Sequence, residues 1–170
     1  MNRFQLILIF LLCIAFSACE KDDICVDGDT PLLIIRFYDS ENPTEFKAVP
    51  GLRVVGAGND TPVDTFTDRS SLDSISIPLK TIETLTNFSF ISDSADDTNE
   101  VETGNADALG FSYETKEEFV SRACGFVVNY ENLSSNFTTA PENWIQSIEI
   151  IKTTVQLETE ETTAHVKVFH

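Results

Sequence analysis

The chain has 170 residues, with 28 Asp or Glu against 11 Lys or Arg and a formal net charge of −17. So acidic a composition offers no basic stripe to neutralise phosphates, which excludes nucleic acid as a partner class. The length and a 42% hydrophobic content suit one domain with its own core, kept soluble by its charge.

The amino terminus reads Met1, Asn2, Arg3, then an apolar run from Leu6 to Phe16, then Ser17-Ala18-Cys19. One early positive charge, a short apolar stretch and small residues before a polar boundary are the parts of a secretory signal peptide. The run is too short to cross a bilayer as a helix, which takes about 20 residues. A cysteine directly after Ser17-Ala18 resembles the lipobox of bacterial lipoproteins, with Phe16 where leucine is usual. That resemblance implies cleavage of residues 1–18 and acylation of Cys19. It leaves residues 19–24 as a lipidated tether and residues 25–170 as a single domain. Two or more acyl chains anchor stably where one holds only marginally.

Cys13 leaves with the signal and Cys19 carries the lipid, so Cys25 and Cys124 remain as one pair in an exported chain. An oxidising compartment favours their disulfide, worth about 2–5 kcal/mol for so long a closed loop. The pair lacks the Cys-x-x-Cys spacing of a redox site. From Cys19 to Cys25, about six steps of extended chain reach no more than roughly 20 Å, which predicts a domain held close to its membrane.

From Thr30 onward the pattern is short strands broken by turn residues. Pro31 to Tyr38 is a nearly continuous apolar run, as in a strand buried on both faces, and Asp39-Ser40-Glu41-Asn42-Pro43 closes it. Leu52 to Gly56 is a second strand. Ile75, Ile77 and Leu79 alternate with Ser74 and Ser76, and Phe88 with Phe90 share a face in the next segment. Leu109, Phe111 and Tyr113 repeat the alternation, as do Cys124, Phe126, Val128 and Tyr130, which places Cys124 on a core-facing strand edge. Lys116 to Arg122 is predicted as at most one turn of helix. Ile148 to Leu157 and Ala164 to Phe169 form a hairpin through Thr159–Thr163, with a bulge near Ile150 where the apolar parity changes. The fold class expected is all-β, an antiparallel β-sandwich of about seven or eight strands. Between Lys80 and Lys116 acids accumulate without any Lys or Arg, which predicts an extended, self-repelling loop.

Chemistry is sparse. The chain carries no Gly-x-Ser-x-Gly, His-Glu-x-x-His or phosphate-cradling glycine loop, and its two histidines are His165 and His170. A hydrolase reading would combine His165 with Asp27, Asp29 or Glu161, although His165 on a terminal strand suits a structural role. Asp27-Gly28-Asp29 and the Asp93–Asp97 tract hold oxygen ligands of the kind calcium takes, but without ordered spacing. No catalytic residues, metal or cofactor are therefore assigned.

Cys19-Glu20-Lys21-Asp22-Asp23-Ile24-Cys25, Thr30-Pro31 through Asp39, Ile77-Pro78-Leu79, Ser121-Arg122-Ala123-Cys124-Gly125-Phe126 and His165 through Val168 together resemble a family of uncharacterised small lipoproteins of Bacteroidota. The resemblance implies an envelope location and no activity. Lys21-Asp22-Asp23 resembles the surface-export signal of that phylum's lipoproteins, which leaves the periplasmic and the cell-surface side both open. Asp73-Ser74-Ile75 and Asp93-Ser94-Ala95 resemble its O-glycosylation sequon, and Ser94, in a loop, is expected to be the more accessible. The function expected is that of an outer-membrane-anchored, non-enzymatic module. It would bind an envelope protein or a glycan through loops or an open sheet edge, with a hydrolase or a purely structural envelope component as alternatives.

Overall fold

The computed structural model describes residues 30–59, 61–157 and 163–170. The expectations for the signal peptide, Cys19, Lys21-Asp22-Asp23, Cys25, Asp27, Asp29 and Glu161 lie outside those residues. The described chain is all-β, with nine strands: β1 (Leu33–Tyr38), β2 (Val49–Gly56), β3 (Ser70–Leu72), β4 (Ser74–Ile77), β5 (Leu85–Ser92), β6 (Asn105–Ser121), β7 (Gly125–Asn136), β8 (Ser147–Ile150) and β9 (Val166–Phe169). They build two sheets, in the orders β4-β1-β9-β8 and β3-β2-β5-β6-β7.

Period-two alternation decides which side chains meet between the sheets. Leu33, Ile35 and Phe37 of β1 and Val166 and Val168 of β9 face Leu52, Val54, Phe88, Phe90, Leu109 and Phe111 of the other sheet, all at most 3% exposed. Ile34 and Arg36 on the outer face of β1 are only half-buried, so that strand is covered on one face rather than two. The antiparallel expectation holds for every strand pairing except β1 with β9, which run parallel, Ile35 opposite Val166.

The sheets are joined along both sides. Only Asp73 separates β3 from β4, so the chain steps from one sheet to the other there. On the far side the Ile151 and Lys152 N–H groups both donate to the His165 carbonyl, at 2.7 and 3.2 Å. This is the irregularity expected near Ile150. The chain then crosses to β7, where Val155 and Tyr130 exchange backbone hydrogen bonds at 2.8 and 2.9 Å. Strands that switch sheets make the corners of a sandwich, and here they occupy edges that an added strand would otherwise use.

Lys116 to Arg122 is not helical. Residues to Ser121 belong to β6, because Glu114 through Ser121 find register partners in Glu131 through Gly125, and a long-range ladder overrides the local helical tendency of Lys116-Glu117-Glu118. Cys124 correspondingly sits in the turn between β6 and β7 and not on a core-facing strand edge, and Phe126 is exposed.

Candidate functional site

On β5, Phe88 and Phe90 point into the core, and parity turns Asn87 outward. The same alternation on β6 and β7 puts Gly110 and Asn136 on the outer face, and register aligns the three across the sheet. Asn87 lies opposite Gly110, and Gly110 lies opposite Asn136. A Cβ at Gly110 would fall 2.4 Å from Asn87 Oδ1 and 3.5 Å from Asn136 Cβ. The space a side chain would take at Gly110 is therefore filled by the Asn87 carboxamide, which lies over the glycine backbone and leaves Gly110 buried.

The row lines a cleft of about 420 Å³ together with Asn105, Glu142 and Asn143. Asn136 Nδ2 donates to Ser112 Oγ at 2.6 Å, Asn105 Nδ2 to the Glu142 carbonyl at 3.0 Å, and Asn143 Nδ2 to the Thr138 carbonyl at 3.1 Å. Each carboxamide thus has one arm fixed while keeping further donor and acceptor capacity. Asp107, also lining the cleft, is 4% exposed and accepts the Ile145 N–H at 2.8 Å. Burial raises its carboxyl above the usual range, against the lowering effect of the Ile145 and Trp144 N–H groups. It serves to pin the loop before β8 against β6. Carboxamides that both donate and accept match hydroxyls, and Thr138 and Glu142 line the cleft beside them.

A second cluster gathers on the β2 side. Glu102 accepts the Gly104 N–H at 2.9 Å, the Ala95 N–H at 3.1 Å and the Ser94 hydroxyl at 2.7 Å, and its carboxylate meets the Arg53 and Arg69 guanidiniums at 3.4 and 3.5 Å. Burial alone would raise the Glu102 carboxyl, but the hydrogen bonds from Gly104, Ser94 and Ala95 and the charge of Arg69 outweigh it and hold the group at about 2. Arg69 also forks onto Asp96, with one contact at 2.8 Å, and the hydrogen bond between them pulls the Asp96 carboxyl down. Arg69 and Asp93 hold left-handed backbone, φ 59° and 51°, a conformation that non-glycine residues keep only when surrounding contacts impose it.

This clamp bears on two readings of the acidic tract. The acidic tract is not a free, self-repelling loop, because arginines from β2 and from just before β3 neutralise it. The calcium reading of Asp93–Asp97 loses Asp96 to Arg69 and Asp97 to the N–H groups of Asn99 and Val101 at 2.8 and 2.9 Å. Among the described residues no group of three or more His, Cys, Asp or Glu is arranged to hold a metal ion. Ser94, expected to be accessible, is 8% exposed, and its hydroxyl donates to Glu102 while accepting from Arg69 Nε at 3.1 Å. Ser74, half-buried on β4, is the more open of the two serines.

His165 is 1% exposed, with Nδ1 accepting the Ile34 N–H at 3.0 Å. It closes the backbone beside β1 and lines neither cleft nor acid cluster. Cys124 is not a free thiol, and no other cysteine stands among the described residues. Sequence reasoning missed the Asn87–Gly110–Asn136 row. The available signal was Gly110 itself, an isolated glycine between Leu109 and Phe111 in an alternating strand.

A family model matches residues 51–170, that of a family of unknown function (DUF6452). No curated protein and no solved structure matches the chain.

Proposed function

The chain belongs to that family of unknown function, DUF6452, and because membership carries no activity we propose a role from the geometry and the leader: a lipid-anchored, non-enzymatic module that binds a glycan in the cleft lined by Asn87, Gly110 and Asn136. The observation that carries the glycan reading is the cleft of about 420 Å³ lined by the carboxamides of Asn87, Asn105, Asn136 and Asn143. Sugars present hydroxyls that need paired donors and acceptors, which such carboxamides supply. The seams between the sheets favour a face over an edge as the binding surface.

The anchor is supported by the apolar run and the lipobox-like Cys19. On that reading, cleavage and acylation leave Cys25 as the cysteine to pair with Cys124, whose thiol is not free. The envelope lipoproteins of Bacteroidota supply the natural setting, an outer-membrane leaflet, with Lys21-Asp22-Asp23 consistent with export to the surface. Against the hydrolase alternative stands the burial of His165, 1% exposed and with Nδ1 accepting the Ile34 N–H, which suits a structural role.

Titrating the native mature protein with soluble peptidoglycan disaccharides and neutral polysaccharide fragments, followed by calorimetry and side-chain amide NMR, tests the glycan reading. At least one fragment is expected to bind and to shift the Asn87 and Asn136 carboxamides. The Asn87→Ala, Asn136→Ala pair is expected to weaken that binding at least about tenfold, while stability changes by about 0.5 kcal/mol or less because both side chains are exposed. Unchanged affinity in the double variant, or no uptake of any fragment, contradicts the proposal.

A further inference from the structure

β5 makes its last pairing with β6 at Ser112, and from Glu114 to Ser121 the register partners of β6 lie on β7. The two strands therefore pair for eight residues beyond β5; Tyr130 and Val128, opposite Thr115 and Glu117, still pack on the core, and the tip of this arm lies past them. At the tip Phe119 and Phe126 pair face to edge, ring centroids 5.4 Å apart, yet are 57% and 67% exposed, and Val120 is 39% exposed. Aromatic surface left wet in this concentration marks a contact site rather than a core.

The tip also differs in charge from the rest of the molecule. In a chain of net charge −17, no Asp or Glu occurs from Phe119 through Tyr130, and the turn presents an exposed Arg122. Exposed rings beside a single cation are the composition that seats at the headgroup level of a bilayer, rings toward the acyl boundary and guanidinium on lipid phosphate. Cys124 occupies the same turn. On the anchor reading given above, its bond to Cys25 leaves about six chain steps, roughly 20 Å, between the arm's tip and the acylated Cys19.

We propose that the tip of the β6–β7 arm is a second membrane contact, with Phe119 and Phe126 seated in the interface of the bilayer that holds the lipid anchor. The inference rests on the anchor reading. It fixes the orientation of the domain, which then stands on two points instead of swinging from one tether. Glu117 and Glu118, one to two residues back from the rings, mark where the arm leaves the headgroup layer.

The test uses the full mature protein, purified with its native modification and reconstituted in phosphatidylethanolamine and phosphatidylglycerol vesicles, with Phe126→Trp compared to wild type. The wild-type chain has one tryptophan, Trp144, which gives the background signal. Lipids brominated on the acyl chains are expected to quench the new tryptophan at least about twofold more than Trp144, with a blue-shifted emission. Val120→Trp, on β6 beside Phe119, repeats the measurement should the first variant fold poorly. An acylated protein that floats with the vesicles but shows no excess quenching in either variant overturns the tip contact and leaves the anchor standing. A mature protein without acyl mass overturns the anchor and the tip contact together. Emission that shifts with protein concentration in place of bromolipid quenching also overturns it, in favour of self-association through the rings.

Discussion

Gly104→Ala is expected to lower stability by about 2–3 kcal/mol, seen as a lower denaturant midpoint with an unchanged slope. A Cβ at this position would meet Ile91 Cγ2 at 2.5 Å, the Ser92 carbonyl oxygen at 2.7 Å and Ser94 Cα at 2.9 Å. Two of these three are backbone atoms of the strand end and turn beside it, so no rotamer change relieves the overlap. The Gly104 N–H is also one of the donors that hold Glu102, and a shift of the backbone to make room pulls that donor from its carboxylate. A change below about 0.5 kcal/mol would show that the loop yields freely and that the clamp around Glu102 is loose.

The second large effect belongs to Glu102 itself. Its folded carboxyl is held at about 2, well below the ordinary 4.5 of glutamate, so the unfolded chain takes up the proton more readily. The stabilisation is fully present above pH 4.5 and is lost as pH falls through about 2. With the side chain about a quarter exposed, solvent screening reduces what the shift alone would give, and about 1–2 kcal/mol at neutral pH is expected. Glu102→Gln keeps the shape and removes the charge, leaving Arg53 and Arg69 with weaker partners. Melting curves should show the variant well below wild type at pH 7 and converging on it at pH 2. A gap of the same size at both pH values would mean that packing, not charge, makes the difference.

The two parts of the chain were legible to different degrees, for a physical reason. Alternation is a local property, and Ile75 with Ile77, Phe88 with Phe90, and Leu109 with Phe111 and Tyr113 announced their strands and their inward faces correctly. Pairing is not local. Nothing near Lys116-Glu117-Glu118 discloses that β7 will extend the strand through them, and nothing near Asp96 or Glu102 discloses that Arg53 and Arg69, some 30 to 50 residues earlier, will meet them. The same gap misjudged Ser94, which reads as loop and proves buried because its loop folds back on an arginine. For the candidate site, Gly110 carried a local sign, whereas its two asparagine neighbours become a row only through the register of three strands.

The central claim is that a domain with a binding face is held at a membrane through its own amino terminus. It is tested most directly by mass spectrometry of the protein purified from its native envelope, intact and after non-reducing digestion. The account predicts a mature chain that begins at Cys19 with acyl chains attached, and a linked peptide joining Cys25 to Cys124. An unacylated chain, or one that still begins at Met1, would contradict it.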